Sequence, residues 1–328
     1  MHCRHSNLPA ECCTYRIRRR FVVMSPRLPQ ELIDQVIDHL WDDRASLEAC
    51  STSCHAWLSS SRTHLFHTIE LSTEHQCYHL NLLLEASPNI AGYVKKLALL
   101  LSLQFEFMQR IRTPSPPDYG VPRYSSWVIS VITKLWRLDD LEFRRSHWDV
   151  FSHPEPQRII KTVVAKLKRL VFSEMFLDMA DVECVLGAAR RLEELRFDRV
   201  NWTPWMPRIR GALPLSSTLQ HLILDSTFSQ DAILRTLLFS MHEHQIKLRT
   251  LCLEHIYESD IKSLGSILRA SGAFVERLLL GGDVVEAVSR DEISLASYIS
   301  LRALYLGTVH LELCHQHDYG AWMSTLLS

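Results

Sequence analysis

Cysteine and histidine have the widest chemical repertoire in this chain, which holds nine of the first and seventeen of the second. Near the N-terminus Cys3, His5, Cys12 and Cys13 lack the two-residue separation by which cysteine pairs close on zinc. Cys50 and Cys54 are four apart, close to one helical face, but Cys50 belongs to an apolar pattern, so both read as packing positions. "HLELCHQH", with His310, Cys314, His315 and His317, is richer in donors. Metal binding there would need two close ligand pairs and an ordered loop, so it reads as a terminal segment with polar residues exposed. "LGG" at Leu280–Gly282 lacks the further glycine and the Lys or Ser/Thr of a phosphate-binding loop, and G-x-S-x-G and H-E-x-x-H are absent. No catalytic residue, metal or cofactor is therefore assigned, and the chain reads as non-enzymatic.

The bulk composition agrees. With 328 residues and 47% hydrophobic residues, the chain can bury a large core. Its 36 basic and 37 acidic residues leave a formal charge of -1, which provides no global field for nucleic acid or an anionic membrane. No apolar run approaches the roughly 20 residues that span a bilayer. An odd number of dispersed cysteines argues against a disulfide framework and for a reduced intracellular protein, cytoplasmic or nuclear. Residues 1–26, with Arg4, Arg16, Arg18, Arg19 and Arg20 against Glu11, read as a basic disordered arm or a targeting segment, with folding starting near Met24.

Two kinds of element follow. From Pro29 the residues Leu32, Ile33, Val36, Ile37 and Leu40 put an apolar face on a helix of about ten residues. A second helix is expected from Arg44 to Cys54 and a short third through Trp57 and Leu58. Such short helices need a partner to pack on. Beyond residue 90 the pieces "VKKLAL", "LDDLEF", "LKRLVF", "LEELRF", "LQHLIL", "LRTLCL", "VERLLL" and "LRALYL" recur. Their fourth positions are Leu97, Leu141, Leu170, Leu195, Leu222, Leu251, Leu278 and Leu304, mostly at the spacing of leucine-rich repeats. Amphipathic stretches such as "DMADVECVLGAARR", "SQDAILRTLLFSMHEH", "ESDIKSLGSILRASG" and "SRDEISLASYI" lie between them. One strand and one helix per unit predicts a stacked arc with parallel strands on the concave side. The Asn or Cys expected after the strand is mostly missing, so the bends must close some other way. Residues 110–126, 145–158 and the segment from Asn201 interrupt the pattern as loops and carry Trp148, Trp202 and Trp205 in or beside them.

Leu28, Pro29, Glu31, Leu32, Ile37, Leu40, Leu47, Cys50, Cys54, Trp57, Leu65, Phe66 and Ile69 stand in one ordered register that resembles an F-box. Ser53 and His55 depart from the family's usual residues. The resemblance covers about residues 27–70 and implies a three-helix module that docks on the Skp-type adaptor of a cullin-RING ubiquitin ligase. By position, Leu28, Pro29, Leu32, Ile33, Ile37 and Leu47 would face the adaptor, and Leu40, Cys50, Cys54 and Trp57 would form the module's core. The combination is similar to large F-box-like families of mushroom-forming fungi. The expected architecture is thus α/β: arm 1–26, F-box module 27–70, and an irregular leucine-rich-repeat-like solenoid at 71–328. The expected role is substrate capture for a Skp-cullin-F-box ligase; the alternative is a non-catalytic repeat scaffold with no adaptor.

Alternate strand positions should face the concave side. One row there runs Glu142, Val171, Arg196, Ile223, Cys252, Leu279 and Tyr305; the next runs Arg144, Ser173, Asp198, Asp225, Glu254, Gly281 and Gly307. Apolar residues beside three consecutive acids suit a basic, hydrophobic segment of an unidentified protein. Arg196, Asp198, Ile223, Asp225, Glu254, Leu279 and Tyr305 are the expected contacts.

Overall fold

The computed structural model describes residues 28–100, 123–145, 154–177, 179–202, 213–225, 231–254, 261–281 and 298–306. Its first element, α1 (Gln30–Asp38), starts after Pro29, the N-cap residue, whose carbonyl accepts the Leu32 and Ile33 N–H groups at 3.1 and 3.3 Å. α2 (Arg44–Ser53) is capped by Asp43, whose side chain accepts from the Ser46 backbone N–H at 3.1 Å. α3 (His55–His67) is a 13-residue helix rather than the short one expected through Leu58. Ile33, Ile37, Leu47 and Cys50 form the centre of this bundle, with Leu40, Trp57 and Leu65 against them.

The rest is built on one nine-stranded parallel sheet whose strands follow chain order. They are β1 (Thr68–Leu71), β2 (Lys96–Leu100), β3 (Asp140–Arg144), β4 (Arg169–Ser173), β6 (Glu194–Asp198), β8 (His221–Asp225), β9 (Thr250–Glu254), β10 (Arg277–Leu280) and β11 (Ala303–Leu306); the short β5 (Phe176–Leu177) and β7 (Asn201–Trp202) pair separately. The eight leucines picked out by spacing sit opposite one another in a single register, from Leu97 to Leu304, and Ile69 extends the row to β1. β1 was expected to close the helical module; it opens the sheet instead, so the boundary drawn at residue 70 cuts through a strand.

The connecting helices are α4 (Glu74–Ala86), α5 (Arg123–Lys134), α6 (Pro154–Val164), α7 (Met179–Leu186), α8 (Asp231–Glu243) and α9 (Ile261–Ser271). α5 and α6 take up residues 123–126 and 154–158, which were expected to be loop. Pro154 is the first residue of α6, where a missing N–H costs nothing. The remainder of the 110–126 loop, Trp148, Trp205 and residues 307–328 lie outside the described residues.

Why the strands stack is visible at their starts. One backbone carbonyl before each of β2, β3, β4, β6, β8, β9 and β10 accepts two N–H groups from the next unit: Lys95 O takes Asp139 and Asp140, Asp139 O takes Lys168 and Arg169, and Lys168 O takes Glu193 and Glu194, at 2.7–3.0 Å. The pattern continues through Glu193, Gln220, Arg249 and Glu276. These groups would otherwise be unpaired as the chain turns into the sheet.

The leucine side of the sheet is sealed by the helices; Leu97, Leu141, Leu170, Leu195, Leu222, Leu251 and Leu278 are fully buried, each burial contributing about 1.5–3 kcal/mol. A second buried row contains Phe143, Phe172 and Phe197, whose rings stack at 5.9 and 5.5 Å between centroids. Helices α4 and α5 are also tied by a polar clip: buried Asn81 accepts from Ser130 Oγ at 2.8 Å and Lys134 Nζ at 2.7 Å, and Lys134 reaches Glu85 at 2.7 Å. α3 joins the two cores, because Leu65 packs in the bundle while Phe66, the next residue, packs against the sheet core.

Replacing Phe172 by Ala removes the middle ring of the stack from a site that cannot readily collapse. The expected loss is about 3–5 kcal/mol, read as a lower midpoint in urea unfolding.

Candidate functional site

Two surfaces remain after the cores are accounted for. The first is the outer stripe of the helical bundle. Leu32 and Val36 stand four residues apart on one side of α1 and are exposed at 46% and 51%; Leu28, two residues before the helix, and Trp41, just after it, are exposed at 59% and 70%. The opposite stripe of α1 carries Ile33 and Ile37 into the bundle, where Leu47 of α2 meets them. Ile33, Ile37 and Leu47 therefore fill the module's own core and do not present their side chains to an adaptor, whereas Leu28, Pro29 and Leu32 are exposed. Cys54 is a second correction: α2 ends before it, its backbone is extended with φ -159°, and the residue is exposed rather than packed. It is Cys50, together with Leu40 and Trp57, that packs. The structure shows why the shift arises. α1 is apolar on both sides, with Leu32 and Val36 on one and Ile33 and Ile37 on the other, and spacing alone does not say which side is buried.

The second surface is the face of the sheet turned away from the helices. Its first row crosses the strands as Lys96, Asp140, Arg169 and Glu194, alternating in sign. Arg169 Nη1 meets Asp140 Oδ2 at 3.1 Å, Arg169 Nε donates to Glu194 Oε1 at 2.8 Å, and Lys96 Nζ lies 3.7 Å from Asp140. Burial raises the Asp140 carboxyl above its ordinary value, partly offset by Arg169 and Lys96. In the next rows Arg144 pairs with Glu142 and lies 3.7 Å from Glu70.

The bends after β3, β4 and β6 solve the problem left by the missing Asn. Arg145, Glu174 and Arg199 adopt left-handed backbone, with φ of 51°, 50° and 49°. Each donates its N–H to the neighbouring unit, Arg145 to Ser173 O at 2.9 Å and Glu174 to Asp198 O at 2.8 Å, so the ladder continues around the bend. This backbone costs about 1–2 kcal/mol for a side-chain-bearing residue. The three side chains offset part of that cost by pairing in turn: Arg145 Nε with Glu174 at 2.6 Å and Arg199 Nη2 with Glu174 at 2.5 Å. The Arg145 hydrogen bond, ahead of the two guanidinium charges, holds Glu174 below the usual carboxylate range. This contribution is present above the unfolded glutamate range and is lost as pH falls through the lowered native value.

Together these residues line a shallow polar depression of about 390 Å³ over β2–β6. Sequence reading placed Glu142, Arg144, Val171, Ser173, Arg196 and Asp198 on this face but missed Lys96, Arg145, Arg169, Glu174 and Arg199 of the lining, and Asp140 beside it. The signal was present as opposite charges at one position of successive units. Of the expected contacts, Arg196 and Asp198 border the depression. Asp198 accepts from Ser173 Oγ at 2.9 Å and lies 3.7 Å from Arg196. Burial opposes its ionisation, but the Ser173 bond, Arg196 and an Asp225 hydrogen bond hold it below the ordinary value.

Past β6 the face changes character. Ile223 and Leu279 are half-buried, Cys252 is buried, and Tyr305 is exposed at 56%, in one register row. Asp225 is nearly buried and Glu254 half-buried along their border. Cys252 Sγ donates to Glu254 Oε1 at 3.4 Å. Asp198, Asp225 and Glu254 stand opposite one another in one register row, the acidic strip expected from the sequence, and the row beside it runs from Arg196 through Ile223, Cys252 and Leu279 to Tyr305. Among the described residues no group of three or more His, Cys, Asp and Glu could hold a metal ion, and no helix is long and apolar enough to cross a membrane.

Burial first, then the Glu254 carboxylate, pushes the Cys252 thiol up to about 12. Since the thiolate is the reactive form, Cys252 is expected to resist iodoacetamide at pH 8 in the native protein while the exposed Cys54 is alkylated. Peptide mapping by mass spectrometry reads both, and unfolding should expose Cys252.

No family model matches the chain, and no curated protein is similar to it in sequence. Among solved structures, a crystal structure of a TLR13-ssRNA13 complex is 13% identical with a TM-score of 0.33, over 77% of this chain and 38% of that one. This chain therefore spans well under half of the protein it matches.

Proposed function

We propose that this chain is a non-catalytic scaffold that binds another protein across the open face of its parallel sheet. One observation supports this most directly: nine strands in a single register present continuous rows of side chains on the face turned away from the leucine core, which no helix among the described residues packs on. Such a face offers area and ordered contacts rather than the enclosed, water-excluding site that catalysis uses. The polar half is already paired within itself, so a ligand gains little by displacing its ions. The apolar half, from Ile223 through Leu279 to Tyr305, is where burial would contribute most. Asp225 and Glu254 beside it favour a partner segment that mixes apolar and basic side chains, recognised also by Arg196 and Asp198 at its polar border.

A second reading concerns the bundle. Leu28, Leu32 and Val36 form an apolar stripe that the bundle does not itself cover, and the F-box resemblance supplies a partner for it, the Skp-type adaptor of a cullin-RING ligase. In that reading the chain is a substrate receptor: the stripe docks on the adaptor and the sheet holds the substrate near a transfer enzyme in other subunits.

The two readings separate experimentally. Wild-type protein is expected to capture a cellular protein that an Ile223→Arg, Tyr305→Arg variant of equal thermal stability does not; equal capture by both removes the open face from the interaction. Co-expression with a Skp-type adaptor is expected to give a heterodimer, and Leu32→Asp with Val36→Asp to weaken it by at least about 30-fold, about 2 kcal/mol. If the folded wild-type protein stays alone, the adaptor reading falls and the scaffold reading stands.

A further inference from the structure

His75 and His79 stand four residues apart on the exposed side of α4. That spacing places side chains one above the other, and here the two Nε2 atoms approach to 2.8 Å with the ring planes at 74°. Both rings project from a well-held stretch. Thr73 and Gln76 close a capping box around the first turn, where His75 lies. The His79 ring meets Tyr78 edge-on at 5.6 Å between centroids, and Tyr78 meets Trp127 of α5 edge-on at 5.1 Å. The histidines belong neither to the open face of the sheet nor to the apolar stripe of α1.

The separation of the nitrogens carries chemical information. Two metal–nitrogen bonds of about 2.0 Å at a right angle put their nitrogens about 2.8 Å apart, whereas tetrahedral angles put them about 3.3 Å apart. The observed spacing is that of the hydrogen bond between the rings and matches the right angle, so a metal of that geometry can replace the shared proton without moving the nitrogens apart. We propose that His75 and His79 form a two-nitrogen chelate for a divalent late transition-metal ion of the Cu²⁺ or Ni²⁺ class, with square-planar or octahedral coordination completed by water. Both rings ligate as neutral imidazoles through Nε2 lone pairs. The proton lying between the two nitrogens moves to the Nδ1 of its own ring, and no electron is transferred.

The test is titration of the full chain with CuCl₂, followed by calorimetry and electron paramagnetic resonance. Because the chain holds seventeen histidines, the readout is the difference between wild type and the His75→Ala, His79→Ala variant. The double variant is expected to bind one equivalent fewer and to lose a signal with two nitrogen ligands. Each single replacement should weaken that equivalent by about 10-fold or more, because the second nitrogen no longer binds at high effective concentration. Copper-catalysed oxidation with ascorbate gives a readout in unaltered protein: oxidised histidine mapped by mass spectrometry should concentrate at positions 75 and 79. Equal stoichiometry and spectra for wild type and double variant, or an oxidation map that spares both residues, would overturn the site.

Discussion

The carbonyl that accepts two N–H groups from the following unit is the interaction on which the rest of this molecule depends. It occurs before seven strands of the nine-stranded sheet, β2, β3, β4, β6, β8, β9 and β10, and it fixes where the next strand begins. Because side chains alternate along a strand, a slip of one residue would turn every buried leucine outward. The paired hydrogen bond thus sets the register, the register sets which residues are buried, and the buried rows hold the helices in place. Units that touch only their neighbours make such a structure cooperative over short distances and nearly one-dimensional in its energetics.

The same constraint shapes the surfaces. Once rows are in register, a charge in one unit faces a charge in the next, and like signs opposite each other are destabilising. Over β2–β6 the chain meets this with alternation, so that Lys96, Asp140, Arg169 and Glu194 neutralise one another. Over β8–β11 that row continues as His221, Thr250, Arg277 and Ala303, and the central row beside it runs Ile223, Cys252, Leu279 and Tyr305. The face therefore divides into a half that supports itself electrostatically and a half whose central row is mostly apolar.

The solenoid was legible because its signal is redundant. Eight leucines at near-constant spacing define the register that the strands adopt, and the alternation within each piece names the open face. The ninth strand escaped because Ile69 follows α3 without a break and its unit has no leading leucine. Helix α6 escaped because Pro154 and Pro156, good residues for a first turn, look like loop residues when their position is unknown. In the bundle, the two faces of α1 are both apolar, so periodicity found the helix but not which stripe was inside. The ion ladder was missed for a different reason: its partners are 25 to 44 residues apart in sequence, and only an alignment of the units brings them together.

The ladder also limits how this protein could change length. Lys95, Asp139, Lys168 and Glu193 alternate before the strands just as Lys96, Asp140, Arg169 and Glu194 do within them. Excising the unit of β3 alone would set Lys96 against Arg169 and Lys95 against Lys168, while excising β3 and β4 together would set each lysine against a glutamate. Hydrogen bonding repeats with every unit, but charge repeats with every second one. This part of the solenoid is built on a step of two, and its units are exchangeable only in pairs.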